Sequence, residues 1–196
     1  MLPTADICDN FPTKVLIARP IFKDFGGKTA FFGEVVTLKT LDDNTKVKKA
    51  LENDGTNQVL VVDSEGSMNC ALLGGNLAAL ASQNNWSGII INGCVRDQLE
   101  IMVENIGVKA LAAHPKKSEK NDGGEYKVTL NFADISISDG DYIYADEDGI
   151  VVSKEELKFY ENYDKRNQIS SSSRRWYNGC WNSRPMCRER YTSINS

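Results

Sequence analysis

Three short apolar runs constrain this chain more than any other feature: QVLVVDSEGS (58–67), GIIINGCVRD (88–97) and VKALAAHPKK (108–117). Each is rich in β-branched or small apolar residues, lacks polar alternation and ends in a polar or glycine-bearing turn. A strand with one wet face alternates, so runs without alternation predict strands covered on both faces, as in a parallel sheet. Between the first two lies NCALLGGNLAALASQNN, where Leu77, Leu80 and Ala81 recur at helical spacing after Gly74 and Gly75. The order strand, loop, helix, strand predicts a right-handed crossover unit.

Upstream, GEVVTLK (33–39) reads as a strand and NTKVKKALEND (44–54) as an amphipathic helix with Asn44 at its N-cap. Beyond His114 the pattern changes. KKSEKNDGGE (116–125) is a charged, glycine-bearing loop, and YKVTLNF, DISIS, DYIYAD and GIVVS predict short antiparallel ribbons with Asp-Gly punctuation. KEELKFYENYDK (154–165) reads as a closing helix. The class expected is mixed α/β in layers, with a parallel βαβ core plus antiparallel strands, forming a single domain over residues 1–164.

Residues 1–164 carry 16 Lys/Arg against 26 Asp/Glu, whereas residues 165–196 carry 7 against 1. The acidic body argues against nucleic-acid binding, which needs a basic face. The segment 165–196, basic and rich in Ser and Arg, is expected to be a disordered extension outside the fold. No apolar run approaches a membrane span, and MLPTADICDNFPTKV lacks the pattern of a secretory signal. Five cysteines at irregular spacings without a Cys-x-x-Cys pair fit a reduced, cytoplasmic protein better than a disulfide scaffold or a zinc site.

The candidate chemistry gathers between Gly74 and Glu100. A glycine loop that follows a strand and opens a helix leaves N–H groups pointing outward, which favours an anion; equally, a glycine pair makes a tight turn. Arg96 and Asp97 follow the strand IIINGC, and ligands of open α/β sheets bind outside the carboxyl ends of strands. Arginine can hold a carboxylate through two parallel hydrogen bonds, and one aspartate plus waters suits Mg²⁺. The same pair also fits a surface arginine beside a helix-start aspartate.

Gly75, twenty residues, Arg96-Asp97, two residues and Glu100 resemble the signature of the RraA-like family, which includes class II 4-hydroxy-4-methyl-2-oxoglutarate aldolases and regulators of ribonuclease activity. ADICDNF, FGGKTAFFGEVVTLK, NGCVRD and GDYIYADEDGIVVS extend the resemblance over roughly residues 4–157. It implies an α/β/β/α sandwich-like domain and a homotrimer or hexamer with the site at a subunit interface. The backbone of Gly74, Gly75, Asn76 and Leu77 would hold the pyruvate carboxylate. Arg96 would bind the 2-oxo acid, Asp97 would coordinate Mg²⁺ or Mn²⁺, and Glu100 would stand behind them. The reaction implied is aldol cleavage through pyruvate enolate, whose charge a divalent metal and Arg96 would stabilise without a Schiff-base lysine; oxaloacetate decarboxylation would share that enolate. Asn76 departs from the acidic residue that many aldolase members carry there, a departure that bears on which substrate is taken.

The alternative is a non-catalytic regulator that binds a ribonuclease or helicase. The regulator that names the family departs from the motif at its Gly and Asp positions, whereas this chain keeps both. Asp63 and Glu65 are expected to line the pocket or cap a turn. His114, the only histidine, is expected to be structural, Asp9 a helix cap, and Cys8, Cys70 and Cys94 small fillers.

Overall fold

The computed structural model describes residues 2–158. Backbone packing groups Met1–Glu156 into one compact unit. The unit opens with α1 (Thr4–Asn10), β1 (Val15–Ile17), β2 (Lys23–Asp24), β3 (Phe31–Lys39) and α2 (Thr45–Leu51). Then come β4 (Gln58–Asp63), β5 (Ala71–Leu73), α3 (Gly75–Gln83), β6 (Gly88–Val95), α4 (Gln98–Met102) and β7 (Gly107–Ala113). It closes with β8 (Glu125–Tyr126), β9 (Leu130–Phe132), β10 (Ile135–Ile137), β11 (Tyr142–Asp146) and β12 (Gly149–Ser153).

The main sheet runs β1-β12-β11-β3-β4-β6-β7-β2, with β5 against β6 and β8 against β3. β3, β4, β6 and β7 pair in parallel, and antiparallel strands flank them. All eight residues of β6 are buried, as expected of a central strand covered on both faces. Alternate side chains divide between two cores. Leu60, Val62, Ile89 and Ile91 pack with Leu51, Ala78, Ala81 and Ile101 of α2, α3 and α4. On the other face, Val59, Val61 and Ile90 pack with Ile135, Ile137, Ile143 and Val152. Each such Leu or Ile side chain contributes about 1.5–3 kcal/mol on burial. The fold is a mixed α/β domain.

Several local expectations are corrected. YKVTLNF is not one strand: Lys127 takes a φ of 59° and separates β8 from β9. α2 begins at Thr45 with Asn44 in the cap position, but the Asn44 side chain makes no capping bond. The carboxylate of Asp43 accepts the Thr45 N–H instead, at 2.8 Å. Asp9 lies near the C-terminal end of α1 and is not its cap. The start of α1 is tied by Asp146, which accepts the Thr4 N–H at 2.7 Å and its hydroxyl at 2.6 Å. Residues 154–158 are not helical, and the rest of the helix expected over 154–165 lies outside the described residues, as does the segment 165–196. No helix among the described residues is long and apolar enough to cross a membrane.

Candidate active site

β5 delivers the chain to Gly74, and α3 starts at Gly75. β6 ends at Val95, and the Arg96 N–H bonds the Leu73 carbonyl at 2.9 Å, which fixes the two strand ends side by side. In a continuing strand, Arg96 and Asp97 would point to opposite faces. Asp97 instead takes the left-handed conformation, φ 56° and ψ 46°, and its carbonyl accepts the N–H groups of Glu100 and Ile101 to start α4. A non-glycine residue held there carries strain of order 1 kcal/mol, a feature that clusters at functional sites. The turn brings Asp97 Oδ2 to 3.3 Å from Arg96 Nε and 3.4 Å from the Gly75 N–H. The Arg96 and Asp97 side chains are 38% and 37% exposed, so both meet solvent and remain open to a ligand.

The two glycines are explained by close approach. A methyl group on Gly74 would lie 2.6 Å from Asp97 Oδ2 and 3.2 Å from Arg96 Nε. The backbone of Gly74 is extended, so the left-handed region is not the reason for glycine here. A methyl on Gly75 would run into the Glu100 carboxylate. The Glu100 carboxylate thus packs against the backbone of Gly75 at the start of α3.

Gly74, Asn76, Leu77, Arg96 and Asp97 floor an open cleft of about 1020 Å³. Glu100 and Gly75 do not line it. A wall of the cleft comes from α2, with Thr45, Lys48 and Lys49, and from the loop 116–120, and it carries the carboxylates of Glu52 and Glu119 as well. Reading the sequence missed this wall, and above all Asp43, which is 3% exposed. Burial opposes ionisation of Asp43, but backbone N–H bonds from Thr45, Gly123 and Asn121 outweigh it and hold the carboxyl at about 2.

The other candidates stand apart from the cleft. Asp63 caps a turn, accepting the Asn92 amide at 2.7 Å and the Glu65 N–H at 2.8 Å. Glu65 pairs with Lys39 at 3.0 Å. His114 accepts the Lys116 N–H through Nδ1 at 3.2 Å, across the turn made by Pro115. Cys70 and Cys94 are buried and Cys8 is half-buried, all three free. Burial, with the nearby Asp42 carboxylate, pushes the Cys70 thiol up to about 11, so it is a poor nucleophile.

Residues 4–152 match the model of the RraA-like family, described as Aldolase/RraA. The chain belongs to the RraA-like family. A relative from Alkalilimnicola ehrlichii, 51% identical over 80% of this chain and 97% of its own, is named "Putative 4-hydroxy-4-methyl-2-oxoglutarate aldolase". Two solved structures are alike at 41% identity. One is the RNA-processing inhibitor RraA from Thermus thermophilis, with a TM-score of 0.79 over 82% of this chain and 98% of that one. The other is described as an S-adenosylmethionine: 2-dimethylmenaquinone methyltransferase from Geobacillus kaustophilus, with a TM-score of 0.78 over 80% of this chain and 97% of that one. Proteins similar to this chain thus carry three functional names, and the choice for this chain turns on its own site.

Proposed function

We propose that this RraA-like protein is a cytoplasmic, divalent-metal-dependent carbon–carbon lyase. It would cleave 4-hydroxy-2-oxo acids of the 4-hydroxy-4-methyl-2-oxoglutarate type to pyruvate, with oxaloacetate decarboxylation as a side activity. The observation that carries this reading is the convergence of the Asp97 carboxylate, the Arg96 guanidinium and the glycine-started α3 on the floor of one cleft, at a spacing that a single methyl group would disrupt.

Among the described residues no three His, Cys, Asp or Glu side chains cluster as a metal cage. That donor set does not suit structural zinc, which takes four protein ligands, but it fits Mg²⁺ or Mn²⁺ held by one carboxylate, waters and substrate oxygens. Asp97 Oδ2 is occupied by Arg96 and Gly75, whereas no hydrogen bond to Oδ1 is formed among the described residues. Oδ1 is the atom we assign to the metal, which would supply Lewis-acid stabilisation of the developing enolate charge. The N–H groups at 74–77 would receive the carboxylate of the 2-oxo acid. Arg96 would set a fixed positive charge beside the 2-oxo group, and Asp97 would keep the guanidinium aimed. Glu100 would hold the starts of α3 and α4 in register without touching substrate.

We also propose that the protein works as a homotrimer or hexamer. Leu99, Met102 and Val103 are 77%, 55% and 77% exposed and share one face of the chain that follows Asp97 directly. An apolar stripe at that spacing supports a contact between copies next to the cleft. Leu99→Asp with Val103→Asp is expected to give a monomer by analytical ultracentrifugation; unchanged mass would place the contact elsewhere. The second reading, a regulator that binds a ribonuclease or helicase, is favoured by the likeness to the Thermus RNA-processing inhibitor. Pyruvate release from 4-hydroxy-4-methyl-2-oxoglutarate, followed with Mg²⁺ and with excess chelator, separates the two. Turnover that chelator abolishes supports the lyase; its absence in the folded, metal-supplied protein favours the regulator.

A further inference from the structure

Three sulfur-bearing side chains gather beside the cleft, and the chemistry proposed above uses none of them. Met68 and Cys70 lie on the chain between β4 and β5, and Cys94 lies on β6. β5 pairs with β6 so that Ala71 stands opposite Cys94, which brings Cys70, the residue before Ala71, alongside. Cys94 Sγ is 3.2 Å from Met68 Sδ. The Cys70 thiol donates towards Asp42, 3.5 Å from Oδ1 and 3.7 Å from the carbonyl. Burial pushes both thiols up, the charge of Asp42 does the same, and Cys94 adds to the effect on Cys70.

Sulfur against sulfur is ordinary packing where every partner is buried. Here Cys94 is 1% exposed and Cys70 3%, but Met68 is 49% exposed, so solvent reaches the thioether that touches the buried thiol. Among the described residues the Cys94 thiol has no hydrogen-bond partner other than that thioether, a weak acceptor. The segment that carries Met68 is also held in place. Asp42 accepts the Ser67 hydroxyl at 2.6 Å and the Asn69 amide at 3.1 Å, one on each side of Met68.

We propose that Cys94, Met68 and Cys70 form a binding site for a soft monovalent metal ion, Cu(I). Thiolate and thioether donors select such an ion, whereas Mg²⁺ takes oxygen. Structural zinc takes four donors, and no three His, Cys, Asp or Glu side chains cluster among the described residues. An ion between Cys94 and Met68 needs the two sulfurs to move slightly apart, which the rotatable bonds of a half-exposed methionine allow. Cu⁺ takes the place of the Cys94 proton, which leaves to bulk water, and no electron is transferred. Thiolate, Cu⁺ and thioether together are neutral, which suits a buried place. Cys70 keeps its proton directed at Asp42 and offers a sulfur lone pair as the third donor. Ala71, next to Cys70, lines the cleft, so the ion sits beside the cleft and not on the Asp97 carboxylate. The assignment does not depend on the lyase reading.

The test uses the full chain with Cys8→Ser, Cys180→Ser and Cys187→Ser, which leaves Cys70 and Cys94 as the only thiols. Cu(I) is titrated without oxygen against a colorimetric Cu(I) chelator, with the thiolate-to-copper absorption in the near ultraviolet recorded on the same samples. One ion should be held per chain in competition with the chelator, and Zn²⁺ at the same concentration should not displace it. Met68→Leu, close in volume and expected to fold, should weaken Cu(I) about tenfold. Cys94→Ser should remove the absorption band. Failure of the parent to retain Cu(I) would overturn the assignment, as would displacement by Zn²⁺ or undiminished binding in a folded Met68→Leu or Cys94→Ser protein. If Cys94→Ser does not fold, Met68→Leu decides.

Discussion

The floor of the cleft is assembled from residues 74–100, whereas its wall joins α2 to a loop that Asp43 reaches across 78 positions of chain. The floor depends on backbone shape: two glycines that admit neighbouring side chains, and one left-handed aspartate. The wall depends on long-range hydrogen bonds converging on a single buried carboxylate. Damage to the floor should therefore remove chemistry while sparing the fold, and damage to the wall should cost stability before it costs chemistry.

The largest effect should follow Arg96→Ala. Losing a fixed charge at a developing oxyanion costs about 100- to 1,000-fold in kcat, and the melting temperature should barely move, because Arg96 is partly exposed and, among the described residues, pairs only with its neighbour. Steady-state kinetics beside a thermal melt would check both halves. Gly74→Ala comes next. Its methyl group would push the Asp97 carboxylate and Arg96 aside, and displacements of that order cost about 100-fold in rate. An unaltered rate would mean that the close approach has no role in catalysis.

Asp43→Asn probes the wall from the side of stability. The carboxyl sits at about 2, below its ordinary value of 3.8. A depressed value means that its contribution is fully present above the unfolded pKa and fades as pH falls towards 2, and a shift of this size corresponds to about 2 kcal/mol. Urea titrations at several pH values should show wild type more stable than the variant above about pH 4.5, with the gap closing in more acid solution. A gap that persists at pH 2 would assign the loss to something other than the charge. Glu65→Ala should do least: the Lys39 pair is exposed on both sides, and no change in melting or turnover is expected.

The same contrast explains what could be read in the sequence. β4, β6 and β7 are legible because unalternating apolar runs have few other homes, and the Gly74/Gly75 loop is legible because it lies between two of them. β2, β5 and β8, two or three residues long, carry no pattern of their own and exist through pairing with neighbours. The break at Lys127 is equally silent, since lysine gives no local signal for a positive φ. At the site, the motif residues Gly75, Arg96 and Asp97 can be named from the sequence, but the turn at Asp97 that lets adjacent side chains meet cannot. Asp43 is invisible in sequence. Only its partners at 121 and 123 reveal a buried staple.

The central claim is that Asp97 makes the floor a metal-dependent lyase site. The most direct measurement is pyruvate release from 4-hydroxy-4-methyl-2-oxoglutarate by wild type and Asp97→Ala at saturating Mg²⁺, with circular dichroism and oligomer mass recorded on the same samples. Release by wild type and none above background by an equally folded variant is the result predicted. Equal release by both proteins would contradict it.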